Sequence, residues 1–285
     1  MTIRETGYRP GATMPLRVEF IRQLRRRRTL VAYLLVVALP VMVSLAVKFG
    51  SSPGPGRRLG SGSADLVGLA TAGAANFTVT MFFFASGFLL LVIVALFCGD
   101  TVASEASWSS LRYLLAAPIP RRRLLKQKLV VGLSLALGAI AVLPIASFAI
   151  GLVAFGNGPL QSPLGTTFTA GEALARISAI GLYIFVSLLF AAGVAFLMSV
   201  LTDAPLGAVG AAVVLVIISN ILNAIEALGS LREWLPTHFA SAWLDLLAPT
   251  VGWTDMARGA AYSIVACALC VAFATYLFDR KDVVS

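Results

Sequence analysis

The chain has 285 residues, of which 59% are hydrophobic and only 12% are charged, and its formal net charge is +9. A soluble domain carries roughly 25% charged residues, so this composition leaves too little polar surface for a soluble protein. The positive excess consists mainly of arginines beside apolar runs rather than on a polar face, which argues against nucleic-acid binding. The composition therefore predicts an all-α membrane protein.

Residue types that carry catalysis or bind metals are scarce. His238 is the one histidine, and the sequence has neither an HExxH motif nor a GxSxG nucleophile motif. Cys267 and Cys270 have CxxC spacing, but inside an apolar run they are better explained as small apolar residues than as a redox pair. The glycine-rich segment 50–63 lacks the GK[ST] of a phosphate-binding loop. We therefore expect no enzymatic activity of the chain by itself, no metal site and no cofactor bound by this chain.

Six apolar runs approach the roughly 20 residues that a membrane-spanning helix needs. The predicted spans are about Leu30–Val47, Val79–Cys98, Leu129–Phe155, Ile177–Leu201, Pro205–Ala224 and Gly259–Phe278. Pro144 lies inside the third run, where a proline can kink a helix. The six runs predict a single transmembrane domain over residues 1–285, with a basic segment 1–29, spans within 30–278 and a tail 279–285.

The distribution of arginine and lysine predicts the orientation. Six spans put both termini on one side, together with the loop 99–128, and this side holds sixteen of the 22 basic residues. Basic residues concentrate in cytoplasmic loops, so we expect both termini and this loop to be cytoplasmic and the chain to lie in the cell membrane. Miscounting one helix would destroy this asymmetry.

Residues 14–28, MPLRVEFIRQLRRRR, predict a basic amphipathic helix that lies on the membrane surface and runs into the first span. Its apolar stripe consists of Leu16, Phe20, Ile21 and Leu24. Arginines such as Arg25 occupy the rest of the surface. A generic positive-inside anchor is the alternative; it would explain the arginines but not the stripe.

The loop 99–128 predicts a second short helix. Ser104 can cap its start, Glu105 suits its positive end, and the prolines at 118 and 120 stop it. Trp108, Leu111 and Leu115 form a short apolar stripe on this helix. Such a stripe needs a partner, which is either the bilayer surface or a cytoplasmic protein with a groove.

Residues 225–257 contain apolar stretches too short to cross a membrane. They also contain Trp234, Trp243 and Trp253, as expected for residues at a membrane interface. We interpret them as short re-entrant or surface-lying helices on the outer face, with an ordinary structured loop as the alternative.

Three polar residues at the outer end of the fifth span share one helical face: Ser219, Asn223 and Glu226. Polar groups in membrane helices usually face a cavity or a partner helix. They are candidates for a substrate path, and they fit equally well as groups that cap the span at its outer interface.

The loop between the second and third spans resembles the signature of ABC-2 type permeases, the membrane subunits of ABC exporters. The matching residues are Ser104-Glu105, Ser110-Leu111-Arg112-Tyr113-Leu114-Leu115, Pro118-Ile119, Arg123-Leu124-Leu125 and Lys128. The whole layout is similar as well: a basic amphipathic helix, six spans and short outer helices. The ending Phe278-Asp279-Arg280-Lys281-Asp282 also resembles the family's tail, with Lys281 as a minor departure.

This resemblance implies a function and a set of partners. Two permease chains, identical or paired with a sister subunit, would sit on two ATP-binding subunits that hold ATP and magnesium. The helix 104–118 would be the coupling helix and the helix 14–28 the interface helix, and ATP-driven closure would rock the permease pair. Glu105, Arg112, Tyr113 and Arg121 would make polar contacts at the joint, and Leu111 and Leu115 would fill the groove.

The implied cargo is a drug, lipid, peptide or other amphiphile. The alternative is a secondary transporter or channel that works without an ATPase. That class needs acids or broken helices at mid-membrane, whereas the charged residues here cluster at the ends of the spans.

Overall fold

The computed structural model describes residues 16–49, 68–107, 120–162 and 166–280. Within these ranges the chain is a bundle of helices with one pair of two-residue strands. Six of its helical stretches are long and apolar enough to cross a membrane, which confirms the predicted number.

The elements follow in chain order. They are α1 (Leu16–Leu24), α2 (Arg27–Phe49), α3 (Ala74–Ser86), α4 (Leu89–Ser107), α5 (Arg121–Phe155), β1 (Leu160–Gln161), β2 (Thr167–Phe168), α6 (Ala170–Ser187), α7 (Leu189–Leu201), α8 (Pro205–Ala224), two 3-10 helices (Glu226–Trp234 and Ala242–Leu247) and α9 (Trp253–Arg280).

The helices extend beyond the apolar runs that predicted them. α5 begins at Arg121 rather than near Leu129. The predicted run Val79–Cys98 is divided between α3 and α4, which meet near Gly87, and of these two helices α4 is long enough to cross a membrane. Ser104, predicted to cap a new helix, lies instead inside the last turns of α4. The helix continues through this polar stretch because Ser104 and Glu105 are buried against charged partners, so they need not mark a helix end.

Local chemistry explains several helix starts. Thr169 and Glu172 form a capping box at the start of α6, in which each side chain accepts a hydrogen bond from the other residue's backbone N–H. Pro205 occupies the first turn of α8, where a missing N–H costs nothing. Pro144 lies within α5, which is continuous from Arg121 to Phe155.

The two ends of the bundle differ in character. Contacts join α1, the last turns of α4, the first turns of α5 and the last turn of α9, so both ends of the described chain lie at what we call the basic end. The opposite end, the loop end, carries the strand pair and the two 3-10 helices.

α4 is the most buried of the six crossing helices and lies at the centre of the bundle. Its outward neighbours, such as α2 and α8, expose large apolar side chains including Leu34, Met42 and Leu206. Exposed apolar faces on long helices suit a lipid environment, because a helix pairs its backbone N–H and C=O groups internally and lipid accepts apolar side chains.

A strand pair closes part of the loop end. Leu160 pairs with Phe168, and the buried Asn76 of α3 binds this segment through the carbonyl of Pro159 at 2.9 Å and the N–H of Gln161 at 2.9 Å. Gly73 makes this approach possible: its φ is 147°, and an added Cβ would lie 2.6 Å from backbone atoms of Gly158. The sequence did not predict these strands.

The segment predicted to form short outer helices contains the two 3-10 helices. Trp243 is buried, whereas Trp234 and Trp253 are exposed. Their re-entry into a membrane stays a prediction.

Candidate functional site at the basic end

Three helices bring charged side chains together at the basic end. α4 supplies Asp100, Ser104 and Glu105, α5 supplies Lys128, and α1 supplies Glu19. All five side chains are nearly inaccessible to solvent. A buried charge loses several kcal/mol of hydration, so it persists only where opposite charges and hydrogen bonds compensate it.

Lys128 is the centre of one set of contacts. Its Nζ lies 2.6 Å from Glu105 Oε1 and 3.7 Å from Glu19 Oε1, and it donates to the carbonyl of Thr101 at 3.1 Å. Thr101 and Glu105 are four residues apart, so they lie on one face of α4 and a single ammonium reaches both. Lys128 thereby joins α4, α5 and α1.

Arg22 closes this set from the side of α1. Its Nη2 lies 2.6 Å from Glu105 Oε1 and 2.6 Å from Glu19 Oε2. The two carboxylates therefore share two cations, Lys128 and Arg22, across three helices. Because Arg22 is 42% exposed, it contributes a more screened interaction than Lys128, which is 1% exposed.

A second set of contacts covers the break between α1 and α2. Arg28 pairs with Asp100, and Arg26 Nη1 lies 3.5 Å from Asp100 Oδ2 and 3.3 Å from Ser104 Oγ. Gln23 links the two sets, since it donates to Glu19 at 3.0 Å and accepts from Arg28 at 3.2 Å.

We call these residues the polar joint. Its members are Glu19, Arg22, Gln23, Arg26, Arg28, Asp100, Ser104, Glu105 and Lys128. Four cations face three carboxylates, so the charges nearly cancel. Ser199 of α7 holds α4 from the other side by accepting hydrogen bonds from the N–H groups of Val102 at 3.0 Å and Ala103 at 2.9 Å.

Glu19 and Arg22 of α1 are both stabilised in their charged forms. Burial alone raises the pKa of Glu19, but the hydrogen bond from Arg22 and the charge of Lys128 outweigh burial and bring this pKa below its ordinary value. For Arg22, burial lowers the pKa, and Glu19 and Glu105 more than compensate, so its pKa lies above the usual value. Both groups therefore stay ionised at neutral pH.

At the basic end, α5 also contacts the last turn of α9. Arg122 Nε lies 2.8 Å from Asp279 Oδ2, and Arg121 donates to the carbonyl of Asp279 at 3.3 Å. Cations suit the last turn of a helix, where carbonyls lack partners. Arg121, predicted as a contact for a partner protein, thus touches the last turn of α9.

The remaining predicted residues of the basic end divide into two groups. Trp108, Leu111, Arg112, Tyr113 and Leu115 lie outside the described residues. In α1, Phe20 is half-buried against the core, whereas Ile21 and Leu24 are exposed, as is Arg25 beyond the helix. The buried face of α1 is polar, formed by Glu19 and Gln23.

Most of the polar joint was not predicted as a site. The available signal was Asp100, Glu105 and Lys128, three ionisable residues within helices that adjoin the membrane, where such residues usually have partners. Sequence reasoning treated Asp100 and Lys128 as loop residues because it ended the second span at Cys98 and began the third at Leu129.

Of the three residues predicted for a substrate path, two bind the outer loop. Ser219 Oγ lies 2.8 Å from Thr237 Oγ1, and Asn223 Oδ1 lies 2.7 Å from His238 Nδ1. Glu226 is exposed and follows the end of α8.

A cavity of about 290 Å³ lies on the adjacent face of α8, where it is lined by Val216 and Asn220. It also touches the breaks at Gly87 and Leu188, where α3 meets α4 and α6 meets α7. The predicted path residues therefore lie beside this cavity, and Thr237, the partner of Ser219, lines it.

Within the described parts of the chain, no group of three or more His, Cys, Asp or Glu side chains could hold a metal ion. The six crossing helices and the apolar outer faces define a multi-pass α-helical membrane protein. The chain matches the family described as ABC-2 family transporter protein over residues 16–283, and it belongs to that family. The comparison with curated proteins gives no match.

Membership identifies the chain as the permease subunit of an ABC transporter. Such a subunit performs transport and is not a catalytic enzyme by itself. Its family also implies a partner, an ABC ATP-binding subunit.

Proposed function

We propose that the chain exports an amphiphilic compound across the cell membrane as one of two permease chains on two ATP-binding subunits. The amphiphile would be a drug, a lipid, a peptide or a similar molecule. ATP and magnesium would bind to the partner subunits, and this chain would hold no cofactor. The basic end would face the cytoplasm, as its excess of arginine and lysine favours.

The polar joint is the observation that carries this proposal. Residues 108–119 connect α4, which ends at Ser107, to α5, which begins at Arg121. Glu105 and Lys128 fix the two helices to each other close to where this segment leaves and returns. Arg22 joins α1 to α4 through Glu105, and Lys128 joins α5 to α1 through Glu19. A partner that pulls on residues 108–119 would therefore move three helices as one unit rather than bend a loose loop.

This arrangement suits the transmission of an ATP-driven movement. Conformational coupling requires packed elements with a limited number of arrangements, and buried ion pairs resist gradual sliding. The coupling helix would then comprise residues of the segment after α4, with Leu111 and Leu115 as its apolar contacts and Arg112 and Tyr113 as its polar ones. α1 would be the interface helix beside it.

The cavity between the two helix breaks supports an amphiphilic cargo. Its lining combines apolar side chains such as Leu91 and Val216 with uncharged polar ones such as Asn220 and Ser241. A ligand with both apolar and polar parts fits such a lining better than an ion does.

Co-expression with the ATP-binding subunit tests the proposal. The chain alone should hydrolyse no ATP, and the two subunits should purify together. In proteoliposomes, Leu111→Asp combined with Leu115→Asp should abolish cargo-stimulated ATP hydrolysis and transport while leaving membrane insertion intact. Leu231→Asp is the matched control, because Leu231 is an exposed leucine at the loop end.

Two outcomes would contradict the proposal. Transport by the purified chain without any ATP-binding subunit would instead support a secondary transporter. Unchanged complex formation and transport in the double leucine variant would rule out the coupling role of residues 108–119.

A further inference from the structure

A second, larger cavity lies between α5 and α6, toward the loop end and away from the polar joint. Its volume is about 1200 Å³. Its walls are α5 from Leu137 to Ala149 and α6 from Ala170 to Leu182, and its roof includes Asn157 and Phe168. We call it the lateral groove. Pockets for drug-sized ligands usually measure about 300–1,000 Å³, so this volume suits a larger occupant.

The lining of the lateral groove is mainly apolar along its length, with Thr78 and Ser178 as uncharged polar residues of its walls. Ile140, Pro144, Phe148 and Ile177 are typical of the walls, and the described lining residues include no charged side chain. Two uncharged polar residues, Asn157 and Thr169, lie at the roof, and the backbone there adds further polar groups. The groove therefore complements a long apolar chain whose polar end lies near the loop end. Because no charged side chain lines the groove, we expect it not to distinguish ligands by the charge of that polar end.

The groove is continuous with the membrane-facing surface of the protein. Side chains along its rim are exposed, among them Ile145 at 70%, Leu174 at 69% and Leu182 at 60%. In a multi-pass membrane protein, such a surface contacts lipid. The groove is thus open to the hydrocarbon of the bilayer rather than to water.

The length of the groove matches one leaflet. From Leu137 to Ala149, α5 rises about 18 Å at 1.5 Å per residue. Half of a typical hydrocarbon core is about 15 Å thick. An acyl chain of the leaflet at the loop end can therefore lie in the groove over its full depth, with its headgroup at the level of the roof.

We propose that the lateral groove binds the acyl chains of a bilayer phospholipid from the leaflet at the loop end. The lipid fills the space between α5 and α6 and holds these helices at their observed separation. This role is distinct from cargo transport, because the bound lipid stays with the protein. Apolar contact provides the binding, so phosphatidylcholine and phosphatidylglycerol bind alike.

Electron paramagnetic resonance of the intact transporter complex tests this proposal. The complex is reconstituted into nanodiscs of equal phosphatidylcholine and phosphatidylglycerol, with doxyl-labelled phosphatidylcholine in one sample and doxyl-labelled phosphatidylglycerol in a second. Wild type should show a strongly immobilised lipid component. Ala141→Trp, which fills the groove from an exposed wall position, should reduce the number of immobilised lipids per chain below the wild-type value, while lipids on the other exposed faces remain. Ala268→Trp changes an exposed alanine of α9 outside the groove and should retain the wild-type number.

A second variant shows whether the loss of immobilised lipid in Ala141→Trp comes from filling the groove or from misfolding. Ser178→Trp fills the groove from the facing wall of α6 and should give the same loss. An immobilised component equal to that of wild type in both filled variants would overturn the proposal. So would a marked preference for labelled phosphatidylglycerol, which would indicate headgroup recognition. Loss of cargo-stimulated ATP hydrolysis in Ala141→Trp with lipid retention unchanged would also overturn it, since the groove would then serve cargo.

Discussion

Replacement of Lys128 by methionine tests whether the polar joint holds α1, α4 and α5 together. Methionine keeps an unbranched apolar side chain but removes the ammonium. Glu105 then loses its partner at 2.6 Å, Glu19 loses a charge at 3.7 Å and the carbonyl of Thr101 loses a donor at 3.1 Å. Both carboxylates stay in place with 3% and 2% of their side chains exposed.

The expected cost is substantial. Removing one partner of a buried ion pair destabilises a protein by about 3–5 kcal/mol, mainly because the remaining charge has no compensation. Arg22 still contacts both carboxylates in the variant, although it is 42% exposed, so we expect a value near the lower limit. About 3 kcal/mol corresponds to roughly a hundredfold change in an equilibrium constant.

Unfolding in a denaturing detergent measures this change, with Lys126→Met as the control. Lys126 is an exposed lysine two positions earlier in the same helix, so its replacement should cost little. Adding Glu105→Gln to Lys128→Met should recover part of the loss, because one uncompensated charge disappears. A Lys128→Met protein as stable as the Lys126→Met control would show that the ammonium of Lys128 does not hold the three helices together.

Two further predictions concern the same end of the bundle. Gly132→Ala should destabilise the chain by about 1–3 kcal/mol, because the added Cβ would lie 2.9 Å from the carbonyl oxygen of Phe97 and force α4 and α5 apart. Gly171→Ala is the control, since nothing lies within 4 Å of a Cβ added there. Equal unfolding midpoints for the two variants would contradict the prediction. Because the pKa of Glu19 is lower in the folded chain than its ordinary value of 4.5, its stabilising contribution is complete above that pH and is lost as the pH falls through the folded value. Hydrogen exchange of α1 amides, corrected for intrinsic rates, should therefore increase below about pH 4.5 in wild type and depend less on pH in Glu19→Gln.

The sequence predicted the number of crossing helices well because each contains a long apolar run. Pro205–Ala224 has the predicted bounds, since a proline begins it and its polar neighbours at both ends are outside the helix. The bounds of α4 and α5 were wrong at the basic end. An apolar run ends at the first charged residue, so a span placed by hydropathy ends there as well. The helix itself can continue where charged side chains such as Asp100 and Lys128 have partners.

The candidate site was predicted only in part for the same reason. Glu105 was chosen from a local motif, but its partners Arg22 and Lys128 come from other helices, and no spacing within one segment reveals such a contact. The apolar stripe of the first helix drew attention to Ile21 and Leu24, whereas Glu19 and Gln23 face the core. Periodicity identifies which residues share a face, and it does not say which face packs inward.

The polar joint also has a consequence for biosynthesis. Glu19 emerges from the ribosome about 110 residues before Lys128. At 5–20 residues per second this delay is roughly 5 to 20 s. During that interval Glu19 lacks the ammonium of Lys128, its partner from α5. Asp100 and Glu105 are also synthesised before Lys128, so of their partners in the polar joint only the arginines that precede them in the chain are available. The arginines at 22, 26 and 28 can therefore reach these carboxylates before Lys128 is available, and they remain their partners in the folded chain. The polar joint is complete only when the third crossing helix arrives.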